Sequence, residues 1–322
     1  MTAPPRLAWL AWIAVCLIWG TTYLGIRIAL ETIPPAAMAA LRWTAGGAIV
    51  SVIVWARGGR LPGRAAWPGL ALLGLLLIGF GNGFVVYAEQ YVPSGLTAVV
   101  IATSPFWMVT TEALLPSGER FARRSIVGLL VGFCGIVLLV WPDLRSTGAG
   151  HFALGLVALQ LACAGWAAGS AYSKRHRPSE DVLGATAVQM LFGGLMMAIV
   201  ATVLGEWPTL AFTARTAGAL TYLTVVGSVG AFVAYVYALR HLPVSTVSLY
   251  AYINPVIAVV LGALVLGEPF TIRVVAAAAL VLLGLAIVRS SGRGSRPRPA
   301  GHVAASPTSG APGRALLKRV TS

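Results

Sequence analysis

Charge is scarce in this sequence. Only 10% of its 322 residues are Asp, Glu, Lys or Arg, against about 25% in a soluble globular domain. Acidic residues number nine, and the lysines are Lys174 and Lys318. The segment GFGNGF at 79–84 lacks the third glycine of a dinucleotide fingerprint, and no GxxxxGK[ST] phosphate loop occurs, which argues against an ATP-driven pump in this chain. The four histidines show no metal-ligand spacing, so no metal and no cofactor is expected. Cys16, Cys134 and Cys163 each lie inside apolar runs and read as buried free thiols rather than disulfides. With no paired catalytic constellation in view, the expectation is that the chain is not an enzyme.

What fills the sequence is apolar: 58% of residues are hydrophobic and the mean hydropathy is +0.84. A soluble protein built this way would expose large sticky patches. A membrane helix needs roughly 20 apolar residues, and runs near that length recur at 8–30, 35–56, 67–88, 95–115, 124–141, 153–173, 182–204, 216–239, 244–266 and 271–289. They are too long and too continuously apolar for the alternating strands of a β-barrel. The first run lacks a small-residue cleavage site ahead of a soluble domain and reads as a retained span.

The formal net charge is +14. The arginines cluster between apolar runs, so the excess reads as the positive-inside bias and not as a nucleic-acid surface. With the N-terminus in the cytoplasm, that side receives Arg57, Arg60, Arg64, Arg120, Arg123, Arg124, Lys174, Arg175, Arg177, Arg240 and Arg289. The far side receives Arg145, Arg215 and Arg273. The expected form is an all-α polytopic protein with ten transmembrane helices and both termini cytoplasmic. Residues 290–322, rich in Gly, Pro, Ser and Arg, are expected to be a disordered basic tail that touches anionic lipid.

The halves repeat one another. Tyr87 precedes Pro93 by six and Pro105 follows twelve later; Tyr237, Pro243 and Pro255 repeat the spacing. Gly118-Glu119 matches Gly267-Glu268, and Gly135 matches Gly284. Towards the front, Cys16, Trp19 and Arg27 match Cys163, Trp166 and Lys174, and Gly46-Gly47 matches Gly193-Gly194. The division is 1–145 for the first five-helix repeat and 146–289 for the second. Five is odd, so the second copy enters the bilayer from the opposite face. Inverted repeats of this kind place a substrate site near the midplane between the halves.

The segment WGTTYLGIRIALETIPPAAMAALRWTAGG at 19–47 resembles the opening of the EamA family of the drug/metabolite transporter superfamily. The Pro105 region before Gly118-Glu119 and LYAYINPVIAVVLGALVLGEPFTI at 249–272 resemble it too, although the first Gly-Glu turn carries an added Pro116-Ser117. The resemblance spans residues 8–289. It implies a ten-helix secondary transporter of the inner membrane, often an exporter of amino acids, other metabolites or toxic compounds. Uptake or exchange on the same scaffold, and a non-transport membrane enzyme, stand as the alternatives. Dimerisation is not legible.

Ionisable groups within spans default to functional hypotheses. Arg42, seven residues into the second span, is a candidate anion anchor, and its repeat partner is Gln189. Glu89 ends the third span, seven residues after Asn82 and so on nearly the same helix face. A partly desolvated carboxyl at that place is a candidate proton site. Trp19, Trp166, Tyr23, Tyr237 and Tyr250 are candidate aromatic walls, and Asn254 stands beside Pro255. The binding set is therefore Trp19, Arg42, Asn82, Trp166, Gln189, Tyr237 and Asn254, with Glu89 for proton coupling. Glu119 and Glu268 are expected to brace the helices that follow them.

Overall fold

The computed structural model describes residues 5–115, 123–141, 149–176, 181–242, 244–247, 250–268 and 270–292. The expected Gly118-Glu119 turn and nearly all of the tail lie outside them. Among the described residues, seven helices are long and apolar enough to cross a membrane: α1 (Arg6–Ala29), α2 (Pro35–Ala56), α3 (Arg64–Ala88), α4 (Ser94–Leu114), α6 (Gly150–His176), α7 (Val182–Val203) and α8 (Ala214–His241). Between and after them run α5 (Arg123–Val140), α9 (Tyr250–Leu266) and α10 (Ile272–Gly292), whose described apolar stretches are shorter. The chain is a polytopic all-α membrane protein. Its helix bounds follow the apolar runs to within a few residues, with α9 preceded by a separate helical turn, Val244–Val247.

Local sequence explains the breaks. Proline lacks an N–H and disfavours a helical residue before it. Accordingly α4 is interrupted at Ala102–Thr103, just ahead of Pro105. Thr103 and Ser104 donate their hydroxyls to Val100 O and Ile101 O, at 2.8 and 2.6 Å, satisfying carbonyls at the interruption. Pro255, by contrast, lies inside a continuous α9. There the Asn254 side-chain amide lies beside Cys16 O and Tyr250 O, and with its nitrogen turned to them it would donate to both, at 3.0 and 3.1 Å. Both α3 and α8 widen into π-helical turns, at Gly74–Gly83 and Leu223–Gly230. These are matching places in the two halves. Such turns are rare and shift the register of side chains along a helix.

Without a hydrophobic force between helices in lipid, small residues let backbones approach closely. The most extensive pairings are α2 on α7 and α5 on α10. Each brings repeat-equivalent glycines to the contact. A Cβ on Gly47 would lie 2.9 Å from Leu191 Cγ, and one on Gly194 2.6 Å from Thr44 N. On the other pair, a Cβ on Gly135 would lie 2.9 Å from Ala277 O, while Gly284 packs on Gly128 and Gly132.

Contacts sort the loops into two ends. At the Arg57 end, Pro62 packs on Gly184, Trp12 Nε1 donates to Val247 O at 3.1 Å, and Arg175 pairs with Glu112 at 2.7 Å. At the opposite Glu89 end, Thr32 donates to Ala211 O and Ala37 N donates to Glu206 Oε2, each at 2.8 Å. The Arg57 end carries Arg6, Arg57, Arg60, Arg64, Lys174, Arg175 and Arg240; Arg27, Arg215 and Arg273 lie at the Glu89 end. Glu268 corrects an expectation. Its carboxylate caps α4, accepting from Ser94 N, Ser94 Oγ and Gly95 N at 2.8, 2.9 and 3.0 Å, and not α10, which follows it.

Candidate functional site

Helices α1, α2, α3, α4, α6 and α9 line a cavity whose open space, solvent at its mouth included, is about 590 Å³. Its wall combines Trp19, Thr22, Tyr23 and Ile26 from α1 with Arg42 and Trp43 from α2. Gly81, Asn82 and Val85 come from α3, Ile101 and Ser104 from α4, Ala162, Cys163 and Trp166 from α6, and Tyr250 from α9. Trp19 is ten residues from the end of α1 and Trp166 ten from the end of α6. At 1.5 Å per residue, both rings sit well inside their helices.

Arg42 is 2% exposed. Its Nε donates to Ser228 Oγ on α8 at 2.7 Å, and its guanidinium carbon stands 4.8 Å from the centroid of the Trp43 ring. Its Nη1 is buried and makes no hydrogen bond. Next to it, Trp43 Nε1 donates to Asn82 Oδ1 at 2.7 Å and so ties α2 to the π-helical part of α3. The pair at 42 and 43 thus supplies one cation held at Nε, with its Nη1 left without an acceptor.

An aromatic cluster closes the cavity on the Arg57 side. The Trp19 centroid lies 5.3 Å from that of Trp166, 4.9 Å from Tyr235 and 5.1 Å from Tyr250. Trp166 Nε1 donates to the Tyr235 hydroxyl at 3.0 Å, which also bonds Ser170 Oγ at 2.8 Å. The repeat-equivalent pair Trp19 and Trp166 therefore meets edge to face, a geometry aromatic quadrupoles favour.

Of the residues expected at the site, Trp19, Arg42, Asn82 and Trp166 stand together on the wall. Asn254 is buried and off the wall, its amide beside the backbone carbonyls of Cys16 and Tyr250. Gln189 is 2% exposed and lies off the wall, in the α7 segment whose backbone closely approaches Gly74 of α3; its Nε2 makes no hydrogen bond. Tyr237 lies off the wall too, its ring 4.2 Å from that of His241. Two residues along a helix turn a side chain by about 200°, and Tyr235 holds the inward place instead. Sequence reasoning missed Trp43, Tyr235 and Ser228, which no repeat partner marks.

Glu89 stands apart from the wall, at the Glu89 end of α3. It is 0% exposed, and neither carboxylate oxygen has a hydrogen-bond partner. Its backbone carbonyl accepts from Arg27 Nη1, and Arg27, Glu268 and Arg42 are near enough to feel its charge. The second half mirrors the clasp without the acid. Lys174, which matches Arg27, donates to the carbonyls of Leu239 and Leu242 at 2.9 and 3.2 Å. Leu239 is the counterpart of Glu89 in the Tyr87–Tyr237 register.

Comparison with known proteins gives this arrangement a context. The model of the EamA-like transporter family matches twice, at residues 6–141 and 153–290. An uncharacterized inner membrane transporter of Escherichia coli, YedA, is 36% identical over 79% of this chain and 81% of its own. The uncharacterized transporter YoaV of Bacillus subtilis is 24% identical over 85% of this chain and 93% of its own. A solved crystal structure at 24% identity covers 89% of this chain and 97% of its own, with a TM-score of 0.66, and shows the same fold. Lipid-length helices, two family-model matches and a transporter of such identity carry one conclusion: the chain is a multi-pass membrane protein and belongs to the EamA-like transporter family.

Proposed function

We propose that this chain is a secondary transporter that moves a small molecule through its central cavity by alternating access, without covalent chemistry. The observation that carries the reading is the position of that cavity. It is lined by helices of both halves, with Trp19 and Trp166 well inside theirs, a buried cation on one wall and an aromatic cluster towards one end. We read the full architecture as ten transmembrane helices in two inverted five-helix repeats, with the Arg57 end and both termini cytoplasmic. The double family match, the paired glycines of α2/α7 and α5/α10, and the matching clasps of Arg27 and Lys174 at opposite ends all support it. The cationic side chains of the Arg57 end support its orientation.

Coupling is assigned to Glu89, a buried carboxyl without a partner in a chain whose other half has leucine there. Groups of this kind mark proton pathways in transporters. The direction proposed is export, on the family resemblance. Purified protein in liposomes with an imposed pH gradient, offered a panel of amino acids, organic acids, amines and drugs, tests the whole reading. Transport of at least one panel member above empty liposomes is expected; none would sink it. Counterflow with labelled substrate separates net export from uptake and exchange.

A further inference from the structure

The charge of the cargo can be read from which cavity groups still need a partner. Among the described residues, Arg42 is the one charged side chain on the cavity wall. Its Nε is satisfied by Ser228 Oγ, whereas Nη1 is buried with no acceptor. A guanidinium keeps its charge and five donors, and a buried unpaired donor of that kind is costly. An acceptor of opposite sign brought into the cavity removes that cost and adds a charge-assisted bond.

Several neutral groups of the wall are already engaged. Thr22 Oγ1 donates to Trp19 O at 2.8 Å and Ser104 Oγ donates to Ile101 O at 2.6 Å, so both hydroxyl protons are in use. Trp43 Nε1 is held by Asn82 Oδ1. No carboxylate is on the described wall, so an ammonium group entering the cavity would meet ring faces and the field of Arg42, with Glu89 the nearest acid and off the wall. Ring faces attract cations, but the nearby guanidinium already stands over the Trp43 ring and repels a second positive charge. The rest of the lining is apolar or aromatic, with Trp19, Trp166 and Tyr250 set to receive a flat body.

We propose that the central cavity takes a small organic monoanion with a flat apolar body, its carboxylate on the Arg42 guanidinium and its body among Trp19, Trp166 and Tyr250. The zwitterion or cation of the same shape is discriminated against. The inference rests on the transport reading above and deepens it by naming the substrate class.

The test is a matched series that keeps the benzene ring and a short arm and changes the charge: phenylacetate, phenylalanine, 2-phenylethylamine and benzyl alcohol. Each is titrated into purified wild-type protein, with binding followed by the emission of the cavity tryptophans and by thermal stabilisation. Phenylacetate is expected to bind at least about tenfold more tightly than phenylalanine or 2-phenylethylamine. In Arg42→Gln that preference should fall to roughly one while benzyl alcohol is bound as in wild type. Should Arg42→Gln fail to fold, Ser228→Ala serves: it keeps the cation but frees Nε, so phenylacetate affinity shifts while that of benzyl alcohol does not. Equal or tighter binding of the amine or the zwitterion, a preference that survives Arg42→Gln, or a Ser228→Ala that leaves phenylacetate affinity unmoved overturns the substrate class and leaves the site standing. Failure of all four probes to bind at about 10 mM would overturn the site along with it.

Discussion

Glu89 is where function and stability should part company. Its carboxyl is fully buried, neither oxygen has a partner, and the matching position in the second half is Leu239, itself 2% exposed. A buried polar group left unsatisfied costs about 1–3 kcal/mol. Glu89→Leu removes that cost, keeps a side chain of similar length, and makes the two halves alike at this point. It is expected to raise the unfolding free energy in mixed detergent micelles by about 1–3 kcal/mol. Glu89→Gln keeps the shape and polarity but cannot take up or release a proton. Both variants are expected to abolish pH-driven flux in liposomes while leaving binding in the central cavity in place, since Glu89 is not on its wall. Sites that serve function at the expense of stability behave this way. Two results would refute the reasoning. A Glu89→Leu protein less stable than wild type by about 1 kcal/mol or more would mean that the carboxylate is held by a favourable charge pairing. Unchanged pH-driven flux in Glu89→Gln would remove the proton from this residue.

Three further outcomes follow from the packing. Glu268→Gln gives up the negative charge shared by Ser94 N, Ser94 Oγ and Gly95 N, and should cost about 0.5–2 kcal/mol of stability, the range for losing a helix cap; an unchanged unfolding midpoint would show that the cap is idle. Gly47→Val drives a branched side chain into Leu191, whose Cγ lies 2.9 Å from the Cβ position, and should destabilise the α2/α7 contact by about 1–3 kcal/mol, read as a lower thermal midpoint. Lys174→Met removes the donor to Leu239 O and Leu242 O and should loosen the Arg57 end. A cysteine placed at Ser170, now buried beneath the aromatic cluster, would then react faster with a membrane-impermeant maleimide; an equal labelling rate argues against a closing role.

How much was legible in the sequence follows the physics of lipid. Apolar runs near bilayer length fixed where the helices lie, because a backbone in hydrocarbon must satisfy its own hydrogen bonds. The ordered match of Cys16, Trp19 and Arg27 to Cys163, Trp166 and Lys174 marked equivalent positions, and the structure brings Trp19 and Trp166 into contact. Arg42 and Asn82 were legible at the cavity because polar groups in a span stand out against an apolar ground. The inward face of each helix was not. A soluble helix shows its buried side as an apolar stripe, but a helix between lipid and protein is apolar all round. Nothing in the sequence therefore separates Tyr235, on the aromatic cluster, from Tyr237, stacked on His241.

Composition and run length determined by themselves that this chain lives in a membrane and, to within a few residues for most of them, where its helices lie; the internal match proposed which residues correspond between its halves. Tertiary structure alone decided that Glu268 caps α4 across the molecule, that Glu89 is buried without a partner and apart from the cavity, and that one nitrogen of Arg42 is held by Ser228 while another is left open. The reason is that each of these depends on helix rotation and on neighbours more than 150 residues away in sequence. Uniformly apolar helices leave both to the packing of small residues.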